Sequence, residues 1–167
     1  MRHCYQLRTA EIERVGLTVS PRALELTGIN APPNGLKSKW SIYHSAAVAL
    51  VDGAAGDHQY SDERVNAPEV VELRAKISAR ADAQLPEIAA HARLTFKNGS
   101  VLEKRIERVV GSAENPMSDL DLEAKVRGLA FGILPPAHTS ALIALTWRVA
   151  ELADMAELAR AATAELK

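Results

Sequence analysis

One stretch constrains the fold more than any other: "AAHARLTFKNGSVLEKRIERVV", residues 89–110. His91, Arg93, Thr95 and Lys97 alternate with Ala92, Leu94 and Phe96. A period of two places the first set on one face of a strand and the second on the other. Asn98-Gly99 follows, then a second alternating run. Asn-Gly supplies the positive φ angles of a two-residue hairpin turn, so the stretch predicts a β-hairpin. His91 falls on its outer, charged face.

The remaining elements gather around this hairpin. "MRHCYQL" reads as the end of a helix. "IERVGLTVS" (Ile12 to Ser20) is β-branched and alternates imperfectly through Ile12, Val15, Leu17 and Val19, which predicts a strand. "TGINAPPNG" is a loop. A nearly all-apolar helix is expected from about Ser38 to Asp52, closed by Gly53 and Gly56. "HQYSDERVNAP" reads as polar linker. Pro68 suits a first helical position, so "PEVVELRAKI" predicts a short amphipathic helix. "SARADAQL" is a weak strand candidate. Ser118 and Asp121 resemble a capping box opening a helix from Asp119 to Ile133. Pro135-Pro136 breaks that helix, and an Ala/Leu-rich helix is expected from about Thr139 to the end. Strands and helices are partly segregated. The expected class is α+β: a small mixed or antiparallel sheet with its hairpin packed against helices, plus C-terminal helices.

A length of 167 residues is enough for one domain with its own core. Aromatic residues are only 4%, so that core must be built from Ala, Leu, Val and Ile. A core so thin makes a missing partner surface plausible. The net charge of -1 implies no general attraction to nucleic acid or an anionic membrane. No run approaches the roughly 18 apolar residues of a membrane span. The first residues lack the apolar stretch of a signal peptide. Cys4 is the single cysteine, which excludes an internal disulfide and a Cys-based metal cluster. A cytoplasmic location is the expectation.

The chemistry-bearing residues cluster in "GLKSKWSIYHSAAVALVDG". Lys37 and Lys39 fall where the apolar helix is expected to begin. A helix N-terminus prefers anions, so lysines there are misplaced unless an anion is bound. Ser41, His44 and Ser45 share one helical face by their spacing. Helix N–H groups, lysine charge and an imidazole together suit a carboxylate. Solvated lysines and a structural histidine are the plainer account of the same residues. His58 and His138 read as surface residues. Asp119, Asp121 and Glu123 need no role beyond the helix dipole. Cys4 has no recognisable base beside it; His3 is adjacent in sequence, which does not make a dyad. There is no glycine-rich phosphate loop, no paired-histidine metal motif and no nucleophile elbow.

The same segment resembles the 2-methylcitrate dehydratase (MmgE/PrpD) family, which includes cis-aconitate decarboxylase and iminodisuccinate epimerase. Pro33, Gly35, Leu36, Lys39, Ser41, Tyr43, Ala47, Ala49, Leu50, Asp52 and Gly53 fit its pattern. Gly111, Asn115, Pro116 and Lys125 reproduce the order of a second family segment. Lys37 and Trp40 depart from the pattern, where an acid and a Phe are usual. The resemblance implies that residues 1–134 form the family's C-terminal α+β lid domain, with a C-terminal helix over 135–167. The family's N-terminal helical domain has no counterpart here. It further implies a carbon–oxygen lyase or isomerase fold for a di- or tricarboxylate, with proton abstraction beside a carboxylate. Lys39 and His44 are the implied catalytic residues, and Lys37, Ser41 and Tyr43 would bind substrate. The family requires no metal or organic cofactor. A helical partner domain or subunit and a homodimer are expected, with 2-methylcitrate and propionate catabolism as the metabolic setting. The chain alone is expected to be inactive. Two other readings stand beside this one: a non-catalytic remnant that dimerises through its Ala-rich C-terminal helix, and a small carboxylate-binding module.

Overall fold

The computed structural model describes residues 8–163. The expected helix end in "MRHCYQL", with Cys4, lies outside them. By its internal packing the chain divides into two compact units, one running to Asn115 and the other starting at Pro116.

The first unit is built on a four-stranded mixed sheet of order β2-β1-β3-β4. The strands are β1 (Ile12–Val19), β2 (Ile77–Ala81), β3 (Ala90–Phe96) and β4 (Val101–Ile106). β1 lies parallel to β2 and antiparallel to β3, and β3 and β4 form the hairpin. The fold is therefore α+β with a mixed open sheet, as the segregation of strands and helices predicts. The imperfect alternation of β1 has a physical cause. Ile12 pairs with Phe96 and Arg14 with Thr95, so Glu13 is an extra residue in a β-bulge. The bulge lets Ile12 and Val15, three positions apart, both reach the interior, at 0% and 1% exposure.

The hairpin turn differs from the expected two-residue type. Among the described residues only glycines have positive φ, so Asn98 is not left-handed. Gly99 N–H donates to Phe96 O, and Gly99 itself takes φ 81°. This is a three-residue loop, a type I turn closed by a left-handed glycine. Asn98 Oδ1 accepts from Ser100 N–H at 2.9 Å and Ser100 Oγ at 2.6 Å, which fastens the turn to the start of β4.

Five helices of the first unit lie between β1 and β2: α1 (Pro21–Thr27), α2 (Gly35–Ser38), α3 (Ile42–Asp52), α4 (Asp62–Val65) and α5 (Pro68–Arg74). Ala47 and Val48 of α3 and Val70 and Leu73 of α5 meet Val15, Leu17, Ile77 and Leu94 on one sheet face. The expected polar linker at 58–68 contains a 3-10 turn (Asp57–Tyr60) and α4. Its polar side chains are used as caps: Ser61 Oγ accepts from Arg64 N–H.

The second unit contains α6 (Asp119–Ala130), α7 (Pro136–Trp147) and α8 (Ala156–Ala161). Ser118 and Asp121 form the expected capping box. The single long helix expected after Thr139 does not form. α7 starts earlier, with Pro136 at its first turn, and ends at Trp147; a 3-10 turn and an extended Leu152 separate it from α8. Among the described residues no helix is long and apolar enough to cross a membrane.

Candidate functional site

The expected continuous helix from Ser38 is broken at Lys39-Trp40-Ser41. Asn34 caps α2 by accepting Lys37 N–H on its side chain at 2.9 Å. Ser41 starts α3 afresh: its Oγ accepts His44 N–H at 3.0 Å. Both Ser38 and Ser41 are fully buried, and Ser38 Oγ donates to Gly35 O at 2.7 Å. The geometry corrects the premise about the lysines. Lys37 lies in the single turn of α2 and Lys39 is its C-cap, so both precede the Ser41 cap and neither lies in the first turn of α3. They need no anion to be tolerated there. Lys39 Nζ instead bonds the exposed Asp57 carboxylate at 2.8 Å.

His44 is fully buried. Its Nε2 lies 2.8 Å from Gln59 O. A carbonyl only accepts, so Nε2 carries the proton in the neutral ring. Nδ1 is buried without a partner. Burial pushes the imidazole below its usual range, with Arg74 and Arg64 acting in the same direction and the Gln59 bond opposing them. Tyr60 meets the ring edge-on at a centroid distance of 5.4 Å, and its hydroxyl lies 2.9 Å from Ser45 Oγ.

Lys39 and His44 thus converge on one feature. Each grips the Asp57–Tyr60 turn, Lys39 from outside through Asp57 and His44 from inside through Gln59. Further bonds close the same region. Gln59 Nε2 donates to Asp52, and Arg64 bridges Asp52 and Glu69. The Arg64 bonds hold the Asp52 carboxyl below the usual carboxylate range. Gly35 N–H donates to Asp62 Oδ1 at 2.6 Å. A Cβ on Gly35 would lie 2.1 Å from Tyr60 O, so α2 approaches this loop as only glycine permits.

Among the other sequence candidates, Lys37 is exposed, Ser41 serves as a buried cap, and Tyr43 is half-buried against the apolar core. Trp40 is half exposed. His91 lies 3.6 Å from Glu103 on the sheet. His138 is half-buried rather than on the surface, because the first turn of α7 packs it inward with Thr139. Sequence reasoning passed over Asp57 and Gln59. The signal for them was weak, since both lie in a polar run with no apolar period. Among the described residues no group of three or more His, Cys, Asp or Glu is arranged to hold a metal ion.

The model of the MmgE/PrpD C-terminal domain matches residues 1–149. This chain belongs to the MmgE/PrpD family. Within it, the chain is similar to cis-aconitate decarboxylase of Mus musculus, at 25% identity over 133 residues. That alignment covers 77% of the chain and 27% of the relative, so the chain spans about a quarter of that protein's length. The MmgE/PrpD match runs through both compact units, from the mixed sheet into α7.

Proposed function

We propose that the α2–α3 junction is the chain's contribution to a carboxylate site in a lyase or isomerase of the MmgE/PrpD family. The substrate class is a di- or tricarboxylate, and the reaction begins with loss of a proton from the carbon beside a carboxylate. The observation that carries this reading is Lys39. Its side chain is half exposed and, among the described residues, held only by Asp57, an exposed side chain that a substrate carboxylate can replace. Lys37, two residues before it and exposed, adds positive charge at the mouth. Family membership and the similarity to a decarboxylase support the lyase class.

Lys39 binds the carboxylate and stabilises the charge that develops as the proton leaves. His44 acts as a positioning residue: its neutral ring fixes the turn that carries Asp57. Direct proton transfer by His44 would require the turn to lift from the ring. Ser41 shapes the junction as a cap, and Tyr43 supports α3 from the core side. The chain's share of its relative's length makes a helical partner domain or subunit, and a homodimer, part of the proposal. The 2-methylcitrate reaction and propionate catabolism are the finer form of the same reading.

Titration of the purified chain with cis-aconitate and 2-methylcitrate by calorimetry tests it. Saturable binding that is lost in Lys39→Ala, with the fold retained, is expected. Binding that is unchanged in Lys39→Ala overturns the assignment. A carboxylate-binding module without turnover is the second reading, favoured by the complete burial of His44. Saturable binding without turnover in a complex reconstituted with a helical partner would favour it.

A further inference from the structure

The sheet has a second face, turned away from α3 and α5, and its side chains follow the register of the strands. Arg14, Gly16 and Thr18 of β1 pair across to Thr95, Arg93 and His91 of β3, while Gly16 and Thr18 pair to Ser78 and Arg80 of β2. These residues line a groove of about 360 Å³. Three arginines line it, and the one acid that pairs with any of them among the described residues is Glu103, which bonds Arg93 at 2.8 Å. Three guanidinium groups against one carboxylate leave two positive charges in excess. Arg14 makes no ion pair among the described residues.

The groove is preorganised. Arg80 Nε donates to Thr18 Oγ1 at 3.0 Å, and Thr18 is itself buried, so this arginine is pinned across β1 and β2. Glu103 fixes Arg93 from the neighbouring strand. Gly16 forms the floor between them. Glycine inside a strand weakens it and commonly marks the close approach of a ligand or another backbone. Nothing in the packing of the described residues requires it here. Its φ is not positive, and an added Cβ would meet only Arg93 O, at 3.9 Å. The missing side chain therefore serves the depth of the groove.

We infer that this sheet face is a binding site for a compact oxyanion carrying two or more negative charges. Arginine forks match carboxylate and phosphate oxygens two at a time. The groove's volume suits a small molecule rather than a polymer. The inference does not rest on the Lys39 site, because none of the groove residues belongs to α2 or α3.

The test is calorimetry on the full chain at low salt with two probes, pyrophosphate and propane-1,2,3-tricarboxylate, paired with amide NMR. Saturable binding of at least one probe is expected, with shifts centred on Gly16, Thr18 and Arg93. Whichever probe binds more tightly assigns the chemistry to phosphate or carboxylate. Affinity should fall by roughly tenfold or more in Arg14→Gln/Arg80→Gln, and similarly in Gly16→Val, whose side chain fills the floor. Lys39→Ala should leave these shifts unchanged. NMR on the wild-type chain keeps the test decisive if a variant folds poorly. Absence of saturable binding, shifts centred elsewhere, or equal affinity in folded groove variants would overturn the inference.

Discussion

The segment from Gly35 to Arg74 and the helices after Pro116 treat their side chains in opposite ways. In the first, buried polar groups are bonded one to another: Ser38, Ser41 and Arg74 each have a backbone partner, and His44 meets Gln59. In the second, large apolar side chains are left in solvent, with Phe131 at 84% and Leu120 at 79% exposure. Only Thr139 and Ile143 are buried there among the described residues. The first region draws its stability from its own contacts. The second carries apolar surface beyond what its own helices cover, the kind of surface that marks an interaction site.

Substitutions can break this comparison. Gly35→Ala should have the largest effect, about 3 kcal/mol or more, read as a fall in the urea midpoint. The obstructing atoms are backbone, Tyr60 O and Asp62 N, so no rotamer change relieves them. His44→Ala should follow at about 3 kcal/mol or somewhat less, from a cavity and an unpaired Gln59 carbonyl.

The acid side of the stability curve sharpens the comparison. Burial lowers the folded His44 pKa below its ordinary value of 6.5, so the unfolded chain binds that proton first. Stability should therefore fall as pH drops below 6.5, by up to about 1.4 kcal/mol per unit, until the folded ring also titrates. His44→Gln should remove that slope, so the wild-type advantage over the variant, from urea midpoints taken between pH 7 and 4, should shrink as pH falls below 6.5; a pH-independent difference would count against it. Asp52 works lower down. Its folded pKa is depressed below 3.8, chiefly by Arg64, so its contribution is present above that value and lost as pH falls through the folded one.

The smallest effects are expected at the surface. Phe131→Ser should change the urea midpoint by less than about 0.5 kcal/mol while reducing binding of an apolar dye. Lys39→Ala should cost less than about 0.5 kcal/mol, because its pair with Asp57 is solvent-screened. If Phe131→Ser destabilised as much as His44→Ala, the contrast between the two regions would be gone.

What the sequence made legible was local. The β3–β4 hairpin, the Pro68 helix start and the Ser118 cap are each set by residues a few positions apart. The start of α3 was misread because a buried capping serine looks like any helical serine. The decisive clue was Ser41 three positions before His44, with Asn34 already capping a separate turn upstream. The grip of Lys39 and His44 on one turn depends on contacts 18 and 15 residues away. No periodicity reports such contacts. The arginines of the outer sheet face come from three strands, so only the register assembles them.

The placement of β1 has a consequence for how the chain is made. The strand is synthesised well before the partners it lies between: Val15 pairs with Ile77 and Leu94, 62 and 79 positions downstream. At roughly 5–20 residues per second, a ribosome leaves Ile12, Val15 and Leu17 waiting for seconds. The hairpin that finally receives them closes within about 10 μs of emerging. The central strand of the sheet is thus the part of the molecule most in need of protection during its own synthesis.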